Sequence, residues 1–256
     1  MPVTNDQRFE LMQSQDQVIW RYINYEKFVS LLESRALYFC RGDLLGDNYE
    51  GSLTPKTIER QEELLSSMFS LDPVLASNPA LMERAVQARR ENLGQAIKAA
   101  RGWAYVVSWH VSDHESDGMW KLYGGAVAIR SSVQALSDSM AAASEKIYLA
   151  TVKYIDEKTG EIPIHDGHLP LVHKRKAFDH ESEVRGIVLQ SLPEDLASSN
   201  AARGIFVPTD IRTLVKEIYV SPNSTRVFLE TVEGMAKQYG LECPIIRSSL
   251  ADEPLF

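Results

Sequence analysis

The sequence predicts an α+β protein: a central mixed or antiparallel sheet with flanking helices and an inserted helical hairpin. Three observations predict it. Short runs rich in β-branched and aromatic residues recur along the chain. Helical patterns fall between them at irregular intervals, which favours α+β over a doubly wound parallel sheet. Residues 54–102 have a different texture, rich in Glu, Gln, Arg, Ala and Leu with two apolar helical faces.

Taken in order, residues 1–16 are polar and read as a loose lead-in. Val18–Ile23 (VIWRYI) is the first clear strand pattern. Asn24 then caps a helix with Lys27 at its third position, and Phe28, Leu31 and Leu32 form the apolar face. Ala36–Arg41 (ALYFCR) is a second strand, and a turn-rich stretch runs from Gly42 to Gly51. In the insertion, Ile58, Leu65, Met68 and Phe69 share one face, while Leu81, Ala85, Ala88 and Ile97 share another. Asp72-Pro73 and Asn78-Pro79 separate the two helical runs.

Ala104–Val111 (AYVVSWHV) is strongly β in character. A polar turn, 112–117, leads into a short helix over 118–123, ended by Gly124-Gly125. Further strands are expected at 126–130, 147–155, Glu183–Leu189, 214–220 and 243–247. Helices are expected at 133–140 and 226–239, the latter capped by Gly240, with 156–169 a loop and 171–179 helix-prone. No segment separates into an independent unit, so 1–256 reads as one α+β domain.

Composition narrows the functional classes. The apolar fraction of 44% over 256 residues supports a full core. Two distant cysteines, Cys40 and Cys243, do not form a disulfide framework and read as free thiols in a reducing, cytoplasmic setting. No apolar run spans a bilayer, and the polar start is unlike a secretory signal. The net charge of −8 argues against broad electrostatic binding of nucleic acid or anionic membrane, while leaving room for a local basic groove. Phosphate-loop, GxGxxG, GxSxG and kinase patterns are absent.

Four constellations carry chemistry. His110 and His114 share a four-residue spacing, but no Glu follows the first in the metalloprotease pattern, and strand and turn contexts do not place the two on one helical face. No metal is expected there; the bland reading is a polar turn capped by Asp113 or Asp117. Trp120 and Tyr123 sit one turn apart, either as core or as a stacking wall for a planar ring. Glu181 and Glu183 alternate on an extended segment just before Arg185, with Lys174-Arg175-Lys176 upstream. They form either a Glu–Arg pair or an electrostatic device. Arg21, charged within an apolar strand, either holds a phosphate or ribose or pairs with Asp47 or Glu50.

The segments LYFCRGDLLGDNYEG, SWHVSDHESDGMWKLYGGAVAIRS and KRKAFDHESEVRGIV resemble an uncharacterised bacterial domain family found near phage-defence genes. The order of elements is also similar to the ADP-ribosyltransferase fold, most of all its DNA-targeting toxin branch. That resemblance implies NAD as substrate and a nucleic-acid or protein acceptor. It also implies an antitoxin or other defence-system partner. It gives Arg21 and Tyr22 on the first strand, Ser108 or Ser131 in the middle, and Trp120 and Tyr123 to NAD binding. Glu183 stabilises the ribosyl cation and Glu181 serves the acceptor side. The alternatives from other classes are a non-catalytic nucleotide- or effector-binding module and a metal-dependent hydrolase or nuclease built on His110 and His114.

Overall fold

The computed structural model describes residues 3–4, 14–164, 167–198 and 200–254. In chain order the elements are β1 (Val3–Thr4), β2 (Val18–Ile23), α1 (Tyr25–Ser34), β3 (Ala36–Arg41), α2 (Pro55–Phe69), α3 (Pro73–Ala76) and α4 (Pro79–Gly102). They continue with β4 (Ala104–Val111), α5 (Asp117–Leu122), β5 (Val127–Ser132), α6 (Val133–Ser139), β6 (Ile147–Thr151), β7 (Lys153–Ile155) and β8 (His173–Arg175). The chain closes with β9 (Glu183–Leu189), β10 (Gly204–Pro208), α7 (Ile211–Leu214), β11 (Glu217–Val220), α8 (Arg226–Gln238) and β12 (Ile245–Arg247). The protein is α+β, with a mixed sheet and flanking helices. Among the described residues, no helix is long and apolar enough to cross a membrane.

Among the described residues, ten strands form the main sheet, with the path β1-β6-β9-β4-β2-β5-β11-β12 and a branch through β3 to β10. One face buries Ile19, Ile23, Phe28, Leu32, Val107, Trp109, Leu136 and Val232, drawing α1, α6 and α8 onto it. On α1 the Asn24 side chain accepts from Lys27 N at 2.9 Å, as the sequence predicts, and Phe28, Leu31 and Leu32 are buried. A second apolar cluster lies across the sheet under the turn Leu169–Val172, and a third gathers Trp20, Tyr22, Met119, Trp120 and Ala128.

The branch opens a gap in the sheet. Along one edge, β4 pairs continuously with β9, from Ala104↔Leu189 to His110↔Glu183. Its other edge is shared. β3 takes it at Cys40↔Val106 and Arg41↔Tyr105, and β2 takes it at Ile19↔Val111 and Trp20↔His110. Between those contacts, Val107 to Trp109 have no strand partner on that edge among the described residues. The sheet forks there, with β2 leading on to β5 and β3 to β10.

Several local expectations change. Val3–Thr4 is not loose: it pairs in parallel with Ile147–Tyr148, whereas 1–2 and 5–13 lie outside the described residues. The segment 171–179 is not an α-helix. It runs as a tight turn, then β8, then a 3-10 stretch Lys176–Glu181. Lys174 and Arg175 are held extended because their carboxylate partners lie on opposite sides, and successive side chains of a strand point apart. The strand expected over 147–155 breaks at Val152. Its N–H stays with Glu183 O at 2.9 Å, and β7 then leaves to pair with β8. In 214–220 the strand starts only at Glu217, because Asp210 caps the short helix α7. Edge strand β10 was not foreseen; it ends on Pro208, a residue tolerated at edges. The helix α5 is capped by Ser116, not by Asp113 or Asp117.

The insertion is a helical hairpin with a short third helix at its tip. An ion pair, Arg90 to Glu62 at 3.0 Å, ties α4 to α2. Its root is buried at Ile97, Ala99 and Ala100, and Thr57 Oγ1 accepts from Ile162 N at 2.8 Å. Its tip stands in water, with Leu71 exposed by 83%.

Candidate functional site

A cavity of about 670 Å3 occupies the fork. That size lies within the usual range for small-molecule sites. β2 contributes Arg21 and Tyr22, β4 contributes Ser108 and His110, and Tyr123 reaches in from the end of α5. Lys174, Glu181, Glu183 and Arg185 line it beside them, with Arg185 and Glu183 the cross-strand neighbours of Ser108 and His110, joined by Glu50 from the strap that follows β3.

The carboxylate wall is a buried ion network. Lys174 Nζ lies 2.8 Å from Glu50, 2.9 Å from Glu181 and 3.0 Å from Glu183. Arg185 Nε donates to Glu183 Oε2 at 2.9 Å and Nη2 to Glu50 Oε2 at 3.1 Å. Its Nη2 also reaches Glu183 Oε1 at 3.1 Å, and Nη1 donates to Leu171 O at 2.7 Å. Both oxygens of Glu183 are therefore engaged. Burial alone would raise its pKa, but Arg185, with Lys174 and the Ser108 hydroxyl, holds the carboxyl well below the usual range. Burial works against the charged forms of Lys174 and Arg185 as well, yet the carboxylates prevail and both are pushed up. Three carboxylates thus share two cations in this network, while Arg21, Lys27 and Asp47 also line the cavity.

Glu181 is placed differently. Its Oε2 accepts from Lys174 and, at 2.9 Å, from the Tyr123 hydroxyl. Its Oε1 has no hydrogen-bond partner among the described residues. Burial and the neighbouring Glu181 charge raise the Tyr123 phenol far above its ordinary value, so it stays a donor at neutral pH. His110 Nδ1 lies 2.7 Å from Glu181 O and steadies the backbone.

Arg21 lines the same cavity from β2. Its Nη1 donates to Ser108 O at 2.8 Å, and its guanidinium carbon lies 5.8 Å from the Trp109 ring centroid. Burial lowers its pKa to about 10, with Tyr123 opposing, so it remains cationic at neutral pH. The pairing with Asp47 or Glu50 weighed from sequence does not form. Asp47 is taken by Arg175 at 2.8 Å and Glu50 by Lys174 and Arg185. Among the described residues no carboxylate pairs with Arg21.

Tyr22 and Ser108 line the cavity as expected, and Tyr22 Oη accepts from Ser116 N at 2.8 Å. Burial, with the Glu115 charge, pushes the Tyr22 phenol up to about 12 against that bond. Ser131, the other middle-strand option, is remote: it is buried and donates to Leu214 O at 2.5 Å. The expectation that Trp120 and Tyr123 form one wall is corrected. Trp120 turns into the third cluster, edge-on to Tyr22 at 5.0 Å, and its Nε1 donates to Glu115 at 3.0 Å. Tyr123, half-exposed at the helix end, alone enters the cavity. His110 and His114 do not converge, and no group of three His, Cys, Asp or Glu among the described residues is placed to hold a metal ion. Cys40 and Cys243 are free and half-buried.

Sequence reasoning named Glu50 only as a candidate partner of Arg21 and Lys174 only as part of a basic run, and missed their place in the ion network. The signal was present as Asp47 and Glu50 in the turn-rich strap, but local turn chemistry explained those residues equally well. Scans of the chain against protein-family models, curated proteins and solved structures returned no match.

Proposed function

We propose that the protein cleaves NAD and transfers its ADP-ribose to a nucleic-acid or protein acceptor, on an ADP-ribosyltransferase-like fold. One observation carries this reading. The fork brings Arg21, which pairs with no carboxylate among the described residues, and a buried carboxylate network into the lining of one cavity of dinucleotide scale. The guanidinium fits the diphosphate, since Arg binds phosphate oxygens in a planar fork. Tyr22 and Tyr123 supply aromatic surface for a planar ring beside the carboxylates.

The chemistry follows from charge. When the bond between the anomeric carbon and nicotinamide nitrogen breaks, the electron pair leaves with neutral nicotinamide. Positive charge builds on the anomeric carbon and ring oxygen. The carboxylates favour that charge, with Glu181 Oε1 the open atom and Glu183 the anchored carboxylate behind it. An acceptor oxygen or nitrogen then bonds to the anomeric carbon, and its proton passes to Glu181. Lys174 and Tyr123 hold the other oxygen of Glu181, so orientation precedes the reaction.

A second reading is a nucleotide-binding module without turnover. It is favoured by the saturation of Glu183, whose charge is offset by Arg185 and Lys174. Incubating the full chain with NAD labelled in the nicotinamide ring and in the adenylate, plus DNA, RNA and bacterial lysate, separates the two. Release of nicotinamide with adenylate label on a macromolecule supports transfer. Saturable binding without release supports the module.

A further inference from the structure

The mouth of the cavity carries a feature that the carboxylate chemistry does not use. Tyr38 on β3 and Phe206 on β10 are direct cross-strand neighbours. Their rings meet edge-to-face with centroids 5.2 Å apart, and both line the cavity. They are nevertheless 40% and 52% exposed. Gly204 makes the arrangement possible, because a Cβ there would collide with the Tyr38 ring. A pair of large rings kept in water at a cavity rim is surface for a planar partner, and base–aromatic stacking is sequence-tolerant and strong.

The charges beside the rings are also unspent. Lys27 on α1 lines the cavity, and Arg203 immediately precedes β10. Neither pairs with a carboxylate among the described residues, whereas Arg41 is bound to Asp43 at 2.5 Å. Both cations are felt at the rim. Burial and Asp43 raise the Cys40 thiol's pKa, while Arg203, Arg41 and Lys27 oppose them.

We propose that Tyr38 and Phe206 carry the purine of the bound dinucleotide, and that Lys27 and Arg203 receive a phosphate on that nucleoside's own ribose. The donor is then a 2′-phosphorylated dinucleotide of the NADP class. The inference rests on the reading that the cavity holds a dinucleotide. Arg21 meets the diphosphate within the fork, so NAD has no further anion to place beside the platform. A 2′-phosphate supplies one.

The test measures binding of adenosine, 5′-AMP and 2′,5′-ADP to the full chain by calorimetry, with nicotinamide release from NAD and NADP followed separately. The expected result is 2′,5′-ADP binding at least about tenfold tighter than 5′-AMP, with the gap narrowing at high salt. Lys27→Ala and Arg203→Ala should close the gap while the thermal melt stays put. Phe206→Ala should weaken both nucleotides. Equal affinity for 5′-AMP and 2′,5′-ADP overturns the proposal, as does a preference indifferent to Lys27 and Arg203. A single-stranded oligonucleotide that displaces 2′,5′-ADP more effectively than NADP also overturns it, assigning the rim to nucleic acid. If the 2′,5′-ADP preference holds but neither dinucleotide is cleaved, the platform stands and the transferase reading falls.

Discussion

Arg21 Nη1 donates to the carbonyl oxygen of Ser108 at 2.8 Å, and this bond bridges the fork where β4 has lost its strand partner. In an extended strand, a residue's N–H and C=O point to the same side. The Ser108 N–H therefore faces the fork as well, beside the guanidinium. A charged side chain does here what a neighbouring strand does elsewhere, and it leaves room for a ligand.

Arg21→Ala should weaken dinucleotide binding by about tenfold or more, because a hydrogen bond to a charged group is worth roughly 1.5–3 kcal/mol. Arg21→Lys should recover part of the loss, since charge returns without the planar fork. Titration calorimetry with the intact dinucleotide checks both. Unchanged affinity in Arg21→Ala would remove this residue from the site.

The two carboxylates should separate by stability. Glu183→Gln leaves Arg185 and Lys174 undercompensated in a buried setting, a change expected to cost about 3–5 kcal/mol. Glu181→Gln should cost less, because one oxygen is open and Tyr123 is retained as a partner. If the proposed chemistry holds, Glu181→Gln should lower nicotinamide release by about two to three orders of magnitude, with little change in substrate affinity. Denaturant melts alongside turnover distinguish the roles. Full turnover in both variants would show that neither carboxylate takes part.

Trp120 and Tyr123 should part company under mutation. Trp120→Ala removes a buried ring and should cost about 3–5 kcal/mol of stability. Tyr123→Phe keeps the half-exposed ring and loses only the hydroxyl that orients Glu181. It should melt close to wild type and lose turnover. A large fall in melting temperature for Tyr123→Phe would make it a structural residue instead.

The ion network predicts an acid limb. Glu183 is held below its ordinary value of 4.5, so its contribution is present above that pH and lost as pH falls through the folded-state pKa. Lys174 and Arg185 are held above their ordinary values, so their contributions persist through neutral pH and fade only in strong base. Stability should therefore be level from about pH 5 to 9 as far as this network is concerned, and fall below. Glu183→Gln should flatten the acid limb relative to wild type. Chemical denaturation across that range reads it directly.

The helical insertion should not stand alone. Its burial is confined to its root at Thr54, Thr57, Ile97, Ala99 and Ala100, while Met68, Leu71 and Val74 lie in water. A fragment spanning 54–102 should show no cooperative melt by circular dichroism.

The sequence by itself determined most of the elements: the Asn24 cap, the VIWRYI and AYVVSWHV strands, the Gly240 stop and the helical texture of 54–102. These are local choices, set by periodicity, capping and turn chemistry within a few residues. Arg21, Glu181 and Glu183 were also legible as oddities, because charge inside an apolar run stands out in one dimension. Tertiary structure alone decided what they meet. Glu50 joins Arg185 from 135 positions away, Arg175 takes Asp47 across 128, and Arg21 finds a carbonyl rather than a carboxylate. Likewise, β10 and the fork exist only because β2 and β3 share one edge of β4. Strand pairing and ion pairing between distant segments depend on the whole chain's packing, and no short window of sequence contains that information.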